Sequence, residues 1–375
     1  MTSSMAERLD GLYSFLTETY PYYRPLSGRR EGFFSLPFLK KAAIGRNREL
    51  FAHPFLQPEL ETYTSGTTGI PFRCVRTRQE QLALSMALFR QRIPWGLPAR
   101  HRLLLLSNRM TDEPHMLLHY EKLLQQQEPH LIQGRSAALY ALAVHCLEAG
   151  FRPAKSLKLV QNWGEPIQPG HAAVIEEAFG VPYTDYYGLE EIWLIGYSDS
   201  SGRLRIDERS VYVEIIDPER QQPLLPGEYG EIAVTSFVMQ SLPYIRYRTG
   251  DIGRLLRDEQ SGASYLELLP VRTAHIRLPD RNVHASIFRY LDKFFHTLAM
   301  EQGVIQYQLV QEQYHVFRLL LLVNAALNTE ELERKLGPML SRYLSAPVEV
   351  RAEIVQHIPP NPANGKTLSF ISLIS

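Results

Sequence analysis

The chain has 375 residues, 45% of them apolar, which is enough to bury a large core and to build more than one domain. Its 40 Lys and Arg residues balance 40 Asp and Glu residues, so no global field favours nucleic acid or a membrane surface, and neither is expected as a partner. The two cysteines, Cys74 and Cys146, allow at most one disulfide and lack the paired spacing of a zinc site; with no basic, apolar leader in MTSSMAERLD and no membrane-length apolar stretch, the expected location is the cytoplasm.

Taken in chain order, residues 6–20 carry a helical pattern, and Tyr63 to Pro71, YTSGTTGIP, follows as a loop without room for ordinary core side chains. Gly66 and Gly69 permit positive φ and can turn backbone N–H groups toward an anion, while Thr64, Ser65, Thr67 and Thr68 offer hydroxyl donors. Such a loop suits phosphate, although hydroxyl and glycine clusters also make plain surface turns. The Walker pattern is absent. Residues 74–92 read as a helix, Leu103 to Leu106 as a buried strand, and Ser136 to Ala149 as a helix stopped by Gly150. Leu157 to Gln161 reads as a strand delivering Trp163-Gly164-Glu165-Pro166, followed by a helix over 169–179 and a strand over 183–187. Strand, helix, strand implies a parallel crossover with ligands at the strand carboxyl ends.

Residues 204–268 change character, with strands at 211–216 and 230–234 around Pro226-Gly227-Glu228. Beyond them come a helix at 287–299, a strand at 316–323, a helix at 329–344 and a strand at 348–355. The expected fold is α/β, a large N-terminal domain of parallel sheets with a β-rich subdomain plus a small C-terminal α+β lid domain. The boundary is expected at 271, giving a large domain (1–271) and a small C-terminal one (272–375).

The order of the loop, Trp163-Gly164-Glu165-Pro166, Asp185-Tyr186-Tyr187-Gly188-Leu189-Glu190-Glu191, Tyr247-Arg248-Thr249-Gly250-Asp251 and Asn364-Gly365-Lys366 resembles the adenylate-forming superfamily. The IRYRTGD, GEP and VYVEIIDPE segments look most like its phenylacetate-CoA ligase branch, together with the related proteins named after capsule synthesis. The resemblance covers about residues 31 to 370 and is sparse between the loop and Trp163.

That resemblance implies an AMP-forming ligase using ATP and Mg²⁺, which adenylates a carboxylic acid and passes the acyl group to a thiol of a carrier protein or CoA, or to an amine. The loop Thr64, Ser65, Gly66, Thr67, Thr68, Gly69 would hold the β- and γ-phosphates. Glu191 would ligate magnesium, which favours one or two carboxylates plus phosphate oxygens. Asp251 would accept the ribose hydroxyls; Tyr187, with Tyr186 and Gly188 beside it, would stack on adenine, flanked by Gly164, Glu165 and Pro166. Lys366 would place its ammonium at the oxygen bridging carboxylate and α-phosphate.

Three departures stand against this pattern. Glu190 occupies a position where relatives carry Ser or Thr against the α-phosphate, so its charge must point away, bind metal or be paired. At the hinge Arg272 matches, but the carboxylate and glycine that follow in relatives are missing from VRTAHIRLPD. The segments before the loop and between the loop and Trp163 are short, which leaves the acid unnamed. The alternative to an enzyme is a regulatory nucleotide-binding relative, which retention of Lys366 disfavours. Scattered Arg203, Arg205 and Arg209 make a poor site for the 3′-phosphate of CoA, so a carrier protein is the preferred acceptor, and the chain is expected to be a monomer or homodimer.

Overall fold

The computed structural model describes residues 3–64, 72–107, 115–168, 170–271, 275–284, 287–358 and 367–374. The chain divides into two compact units, one of Met1–Gln91, Tyr187–Tyr197 and Arg203–Glu267, the other of Arg92–Tyr186, Ser198–Gly202 and Leu268–Ser375.

The first unit opens with the helix Ser3–Thr19, whose inward face buries Leu9 and Leu16. Its β-rich part runs in the order Trp193–Ser198, Leu204–Ile206, Ser264–Leu268, Tyr247–Arg257, Gly230–Ser236, Val211–Ile216. The last three pair antiparallel, with Val234 opposite both Tyr247 and Val213. This is the β-rich subdomain expected from the alternating pattern. A separate hairpin pairs Leu60–Thr64 with Phe72–Arg76. Residues 74–76 are therefore strand, not the start of a helix. Arg73 and Val75 alternate with Phe72, Cys74 and Arg76 across the pleat, and the helix begins only at Arg78. The Thr77 hydroxyl accepts from the Glu80 N–H at 3.1 Å while Glu80 Oε2 accepts from the Thr77 N–H at 2.6 Å. This reciprocal capping box fixes the helix start.

The second unit holds the parallel strands Leu103–Leu105, Leu131–Gly134 and Leu159–Trp163, followed by residues 183–186 of the strand Tyr183–Leu189, in that order. Leu104, Ile132 and Val160 lie in one register row and pack with Leu124, Leu139, Leu142 and Ile175 from the crossover helices His115–Gln127, Ser136–Glu148 and His171–Phe179. Each such fully buried aliphatic side chain contributes roughly 1.5–3 kcal/mol by leaving water. The same unit contains the four-stranded sheet Glu349–Ile354, Val316–Val323, Val304–Gln313, Phe370–Ser372 with the helices Phe288–Gln302 and Thr329–Leu344, the small α+β element expected near the C-terminus. Thr329–Leu344 is set by its sequence: Asn328 Oδ1 caps the Glu331 N–H, and Leu332, Leu336, Leu340 and Leu344 bury one face at four-residue spacing.

Both cysteines are free and buried, and burial pushes each thiol up to about 12. No described helix is long and apolar enough to cross a membrane.

Candidate nucleotide site

In the first unit, the two strands of the hairpin bracket the segment 65–71, with Thr64 opposite Phe72 at its end. Ser65, Gly66, Thr67, Thr68 and Gly69 lie outside the described residues, as do Arg272 and Lys366. Thr64 is the described member of the expected phosphate loop. Its Oγ1 accepts from Lys41 Nζ at 3.1 Å, and the same ammonium stands 2.7 Å from Glu191 Oε1. Glu191 is 4% exposed and also accepts from the Tyr247 hydroxyl at 2.8 Å. Burial, and then the Glu191 carboxylate, push the Tyr247 phenol well above its ordinary value. The hydroxyl is thus held as a donor. A buried carboxylate needs a counter-charge, and Lys41 supplies it.

Glu190 is paired. Its Oε1 accepts from Thr62 Oγ1 at 2.7 Å and from Arg76 Nη2 at 2.8 Å. The two adjacent acids therefore have separate cations, Arg76 for Glu190 and Lys41 for Glu191.

The stretch Tyr247 to Asp251 divides its labour. The Arg248 guanidinium bonds Glu231 through Nε and Nη2. Gly250 takes φ +77°, a conformation only glycine adopts at no cost, and its N–H donates to Glu231 Oε1 at 3.2 Å. That turn presents Asp251, whose N–H donates to Thr249 Oγ1 at 3.0 Å and whose Oδ2 accepts from the Tyr187 hydroxyl at 2.8 Å. Tyr187 and Asp251 are thus brought together, as are Thr64 and Glu191 through Lys41. Tyr186 and Tyr187 are consecutive on one strand, so their side chains leave it on opposite faces, and the two rings cannot line the same side of one base. Gly188 lies on that same strand.

Gly164, Glu165, Pro166 and Tyr186 belong to the second unit. Trp163 is in register with Tyr186 at the carboxyl end of the parallel sheet, and Gly164 turns the chain at φ +82°. Glu165 Oε1 accepts from the Ala137 N–H at 3.0 Å, capping the helix Ser136–Glu148, so the acid of the GEP element is engaged by the fold. Asn162 Nδ2 donates to the Glu165 carbonyl at 2.9 Å and also to Asp185 Oδ1. Desolvation pushes the Asp185 carboxyl up to about 7, against the Asn162 hydrogen bond, with the nearby Glu165 charge raising it further. Beneath this edge His171 is buried, accepting or donating through Nδ1 to Ser136 Oγ at 2.6 Å and stacked on Tyr140; desolvation takes it down to about 3.

Sequence reasoning missed Lys41, Thr62, Arg76, Asn162 and the titration of Asp185. No local signal marks Lys41 or Arg76, because the acids they serve lie more than a hundred residues away. Among the described residues no group of three or more His, Cys, Asp or Glu side chains could hold a metal ion. The donor set that does exist, one buried carboxylate beside a threonine hydroxyl, fits a magnesium ion bound mainly through nucleotide phosphates.

No family model matches the chain. It is 26% identical over 291 residues to a phenylacetate-coenzyme A ligase of Thermus thermophilus, covering 66% of this chain and 64% of that protein, just under two thirds of its length. A phenylacetate-coenzyme A ligase of Escherichia coli is 35% identical over 105 residues, 27% of this chain and 24% of that one. Among solved structures, 2-hydroxyisobutyryl-CoA ligase in the postadenylation state with 2-HIB-AMP aligns over 98% of this chain and 88% of its own, with TM-score 0.72 at 17% identity. The amide bond synthetase McbA from Marinactinospora thermotolerans aligns over 84% of this chain and 67% of its own, with TM-score 0.61 at 20% identity. In sequence and in fold together the chain is similar to the adenylate-forming superfamily and, within it, to the phenylacetate-CoA ligase-like branch.

Proposed function

We propose that the chain is an AMP-forming ligase that joins a carboxylic acid to AMP from ATP and then passes the acyl group to a thiol. One observation carries this reading: Thr64, at the start of the hydroxyl and glycine loop, is tied through Lys41 to the buried carboxylate of Glu191, in the same unit as the Tyr187–Asp251 pair. The candidates for phosphate, metal and ribose binding, Thr64, Glu191 and Asp251, thus come from one unit, which supports the reading.

In the first half-reaction a carboxylate oxygen attacks the α-phosphorus, the bond to the bridging oxygen of the β-phosphate breaks, and pyrophosphate leaves with the electron pair. The loop from Thr64 to Gly69 would hold the leaving phosphates through N–H and hydroxyl donors. Asp251, oriented by Tyr187, would hold the ribose. Lys366 would neutralise charge at the α-phosphate as a point charge. Glu191, with Thr64 beside it, would hold magnesium, which when bound supplies charge neutralisation across the phosphates. In the second half-reaction a thiolate attacks the acyl carbonyl and AMP leaves. A lid formed by 272–375, with Arg272 at its hinge, would serve this change of partner.

Similarity to proteins named as coenzyme A ligases supports coenzyme A as the thiol, over the carrier protein preferred from sequence. Arg203, one of the scattered basic residues, is engaged by Asp258 at 3.1 Å and by the Tyr265 ring. The test is acid-dependent ATP–pyrophosphate exchange across aryl, fatty, hydroxy and amino acids, followed by offering coenzyme A and a phosphopantetheinylated carrier protein separately. Exchange with at least one acid and turnover with coenzyme A are expected. ATP binding without exchange on any acid would favour a nucleotide-binding regulator.

A further inference from the structure

Both strands of the loop-bearing hairpin converge on one carboxylate. Thr62, from Leu60–Thr64, and Arg76, from Phe72–Arg76, each donate to Glu190 Oε1. Arg76 Nη2 further donates to Thr62 Oγ1 at 2.8 Å and to the Glu190 carbonyl at 3.2 Å, so one nitrogen links the two strands and the turn beyond Leu189. The guanidinium is 1% exposed, lies 5.3 Å from the Trp193 ring, and leaves Nε and Nη1 without a partner among the described residues. Among the described residues Glu190 is the one carboxylate paired with it.

A two-stranded hairpin is marginal in isolation, and its placement depends on ties to its surroundings. Lys41 reaches Thr64 but is shared with Glu191, and its side chain is 36% exposed, so it makes a looser tie than the buried Arg76. We propose that Glu190 is a positioning residue: with Arg76 and Thr62 it clamps the hairpin carrying residues 65–71 to the turn carrying Glu191. The phosphate-binding segment and the metal-binding carboxylate are then held in register before nucleotide arrives. This inference rests on the ligase reading for its consequence, and on the hairpin geometry alone for its cause.

Glu190→Gln keeps the shape and an acceptor while removing the charge; Thr62→Val keeps the ion pair and removes the hydroxyl that donates to Glu190 and accepts from Arg76. Hydrogen exchange of the amides in Leu60–Thr64 and Phe72–Arg76 should accelerate about tenfold in Glu190→Gln and less in Thr62→Val, with Thr329–Leu344 unchanged. KM for ATP should rise about tenfold while kcat stays within about twofold and KM for the acid is unmoved, the pattern of lost uniform binding. Unchanged exchange in both strands would overturn the clamp, and so would a fall in kcat at constant KM, the pattern of a contact made only in the transition state. Should the wild-type protein bind no ATP in calorimetry, the ligase reading falls, while hairpin exchange in the two variants still decides the clamp.

Discussion

The Tyr187 hydroxyl donates to Asp251 Oδ2 at 2.8 Å, so the tyrosine proposed to stack on adenine also orients the carboxylate proposed to hold the ribose. Asp251→Asn should weaken ATP binding at least tenfold, since a charged acceptor on two hydroxyls is lost, and Tyr187→Phe by roughly 1 kcal/mol, the worth of one hydrogen bond. Melting temperatures should barely move. Calorimetry beside scanning fluorimetry separates the roles, because wild-type ATP affinity with a large melting drop in Asp251→Asn would make the aspartate a fold residue.

Lys41→Met leaves the buried Glu191 carboxylate without its cation. The variant should melt lower, by the few kcal/mol that an uncompensated buried charge costs. It should also bind ATP with magnesium far better than ATP in EDTA, because the divalent ion can replace the missing charge and free nucleotide cannot. Equal retention of both affinities would remove Lys41 from the site.

Lys366→Ala should cut acid-dependent pyrophosphate exchange by two or more orders of magnitude, about 3 kcal/mol, with ATP affinity little changed. Exchange at the wild-type rate would end the catalytic role.

Asp185 gives a pH signature. Its folded value of about 7 lies above the ordinary 3.8, so the folded chain keeps a proton that the unfolded chain releases between those values. Its stabilising contribution is complete below about pH 4, declines as pH rises and is gone above about 7. His171 acts oppositely: held down to about 3 from 6.5, it favours the folded state above 6.5 and loses that contribution as acid is added. Asp185→Asn should therefore melt higher relative to wild type as pH rises from 5 to 8. A constant difference across that range would show that Asp185 is ionised throughout.

Arg246, the first arginine of IRYRTGD, is buried at φ +45°, bonds both oxygens of Glu214 and donates to the Phe34 and Leu36 carbonyls. Arg246→Ala should cost about 3–5 kcal/mol in urea unfolding, since it orphans the buried Glu214. A loss below about 1 kcal/mol would mean that Glu214 is rescued by solvent.

Local chemistry was legible where it was written locally. The helix Thr329–Leu344 and the strand Val316–Val323 match their expected bounds, because a cap, a four-residue leucine spacing and a run of β-favouring residues lie in the segment itself. The strand Val304–Gln313 was not, since VIQYQLVQEQ reads as polar while the fold buries its glutamines: Gln308 donates to the Leu368 carbonyl and Gln311 to that of Arg277. At the candidate site, motifs pointed to Thr64, Glu191 and Asp251 as proposed binding residues. The partners that give those residues their state, Lys41 and Arg76, are set by strand placement across separations such as the 114 residues from Arg76 to Glu190. Composition carries no trace of such pairs.

Two thiols buried to 1% and 0%, with values pushed up to about 12, are poor nucleophiles at neutral pH. Maleimides should pass the native protein by. A cysteine introduced at the surface, at Arg220 in one unit and Arg289 in the other for example, would then be labelled alone without first stripping out the native pair. The protein is in effect already prepared for fluorescence or spin-label measurements of the distance between labels on its two units.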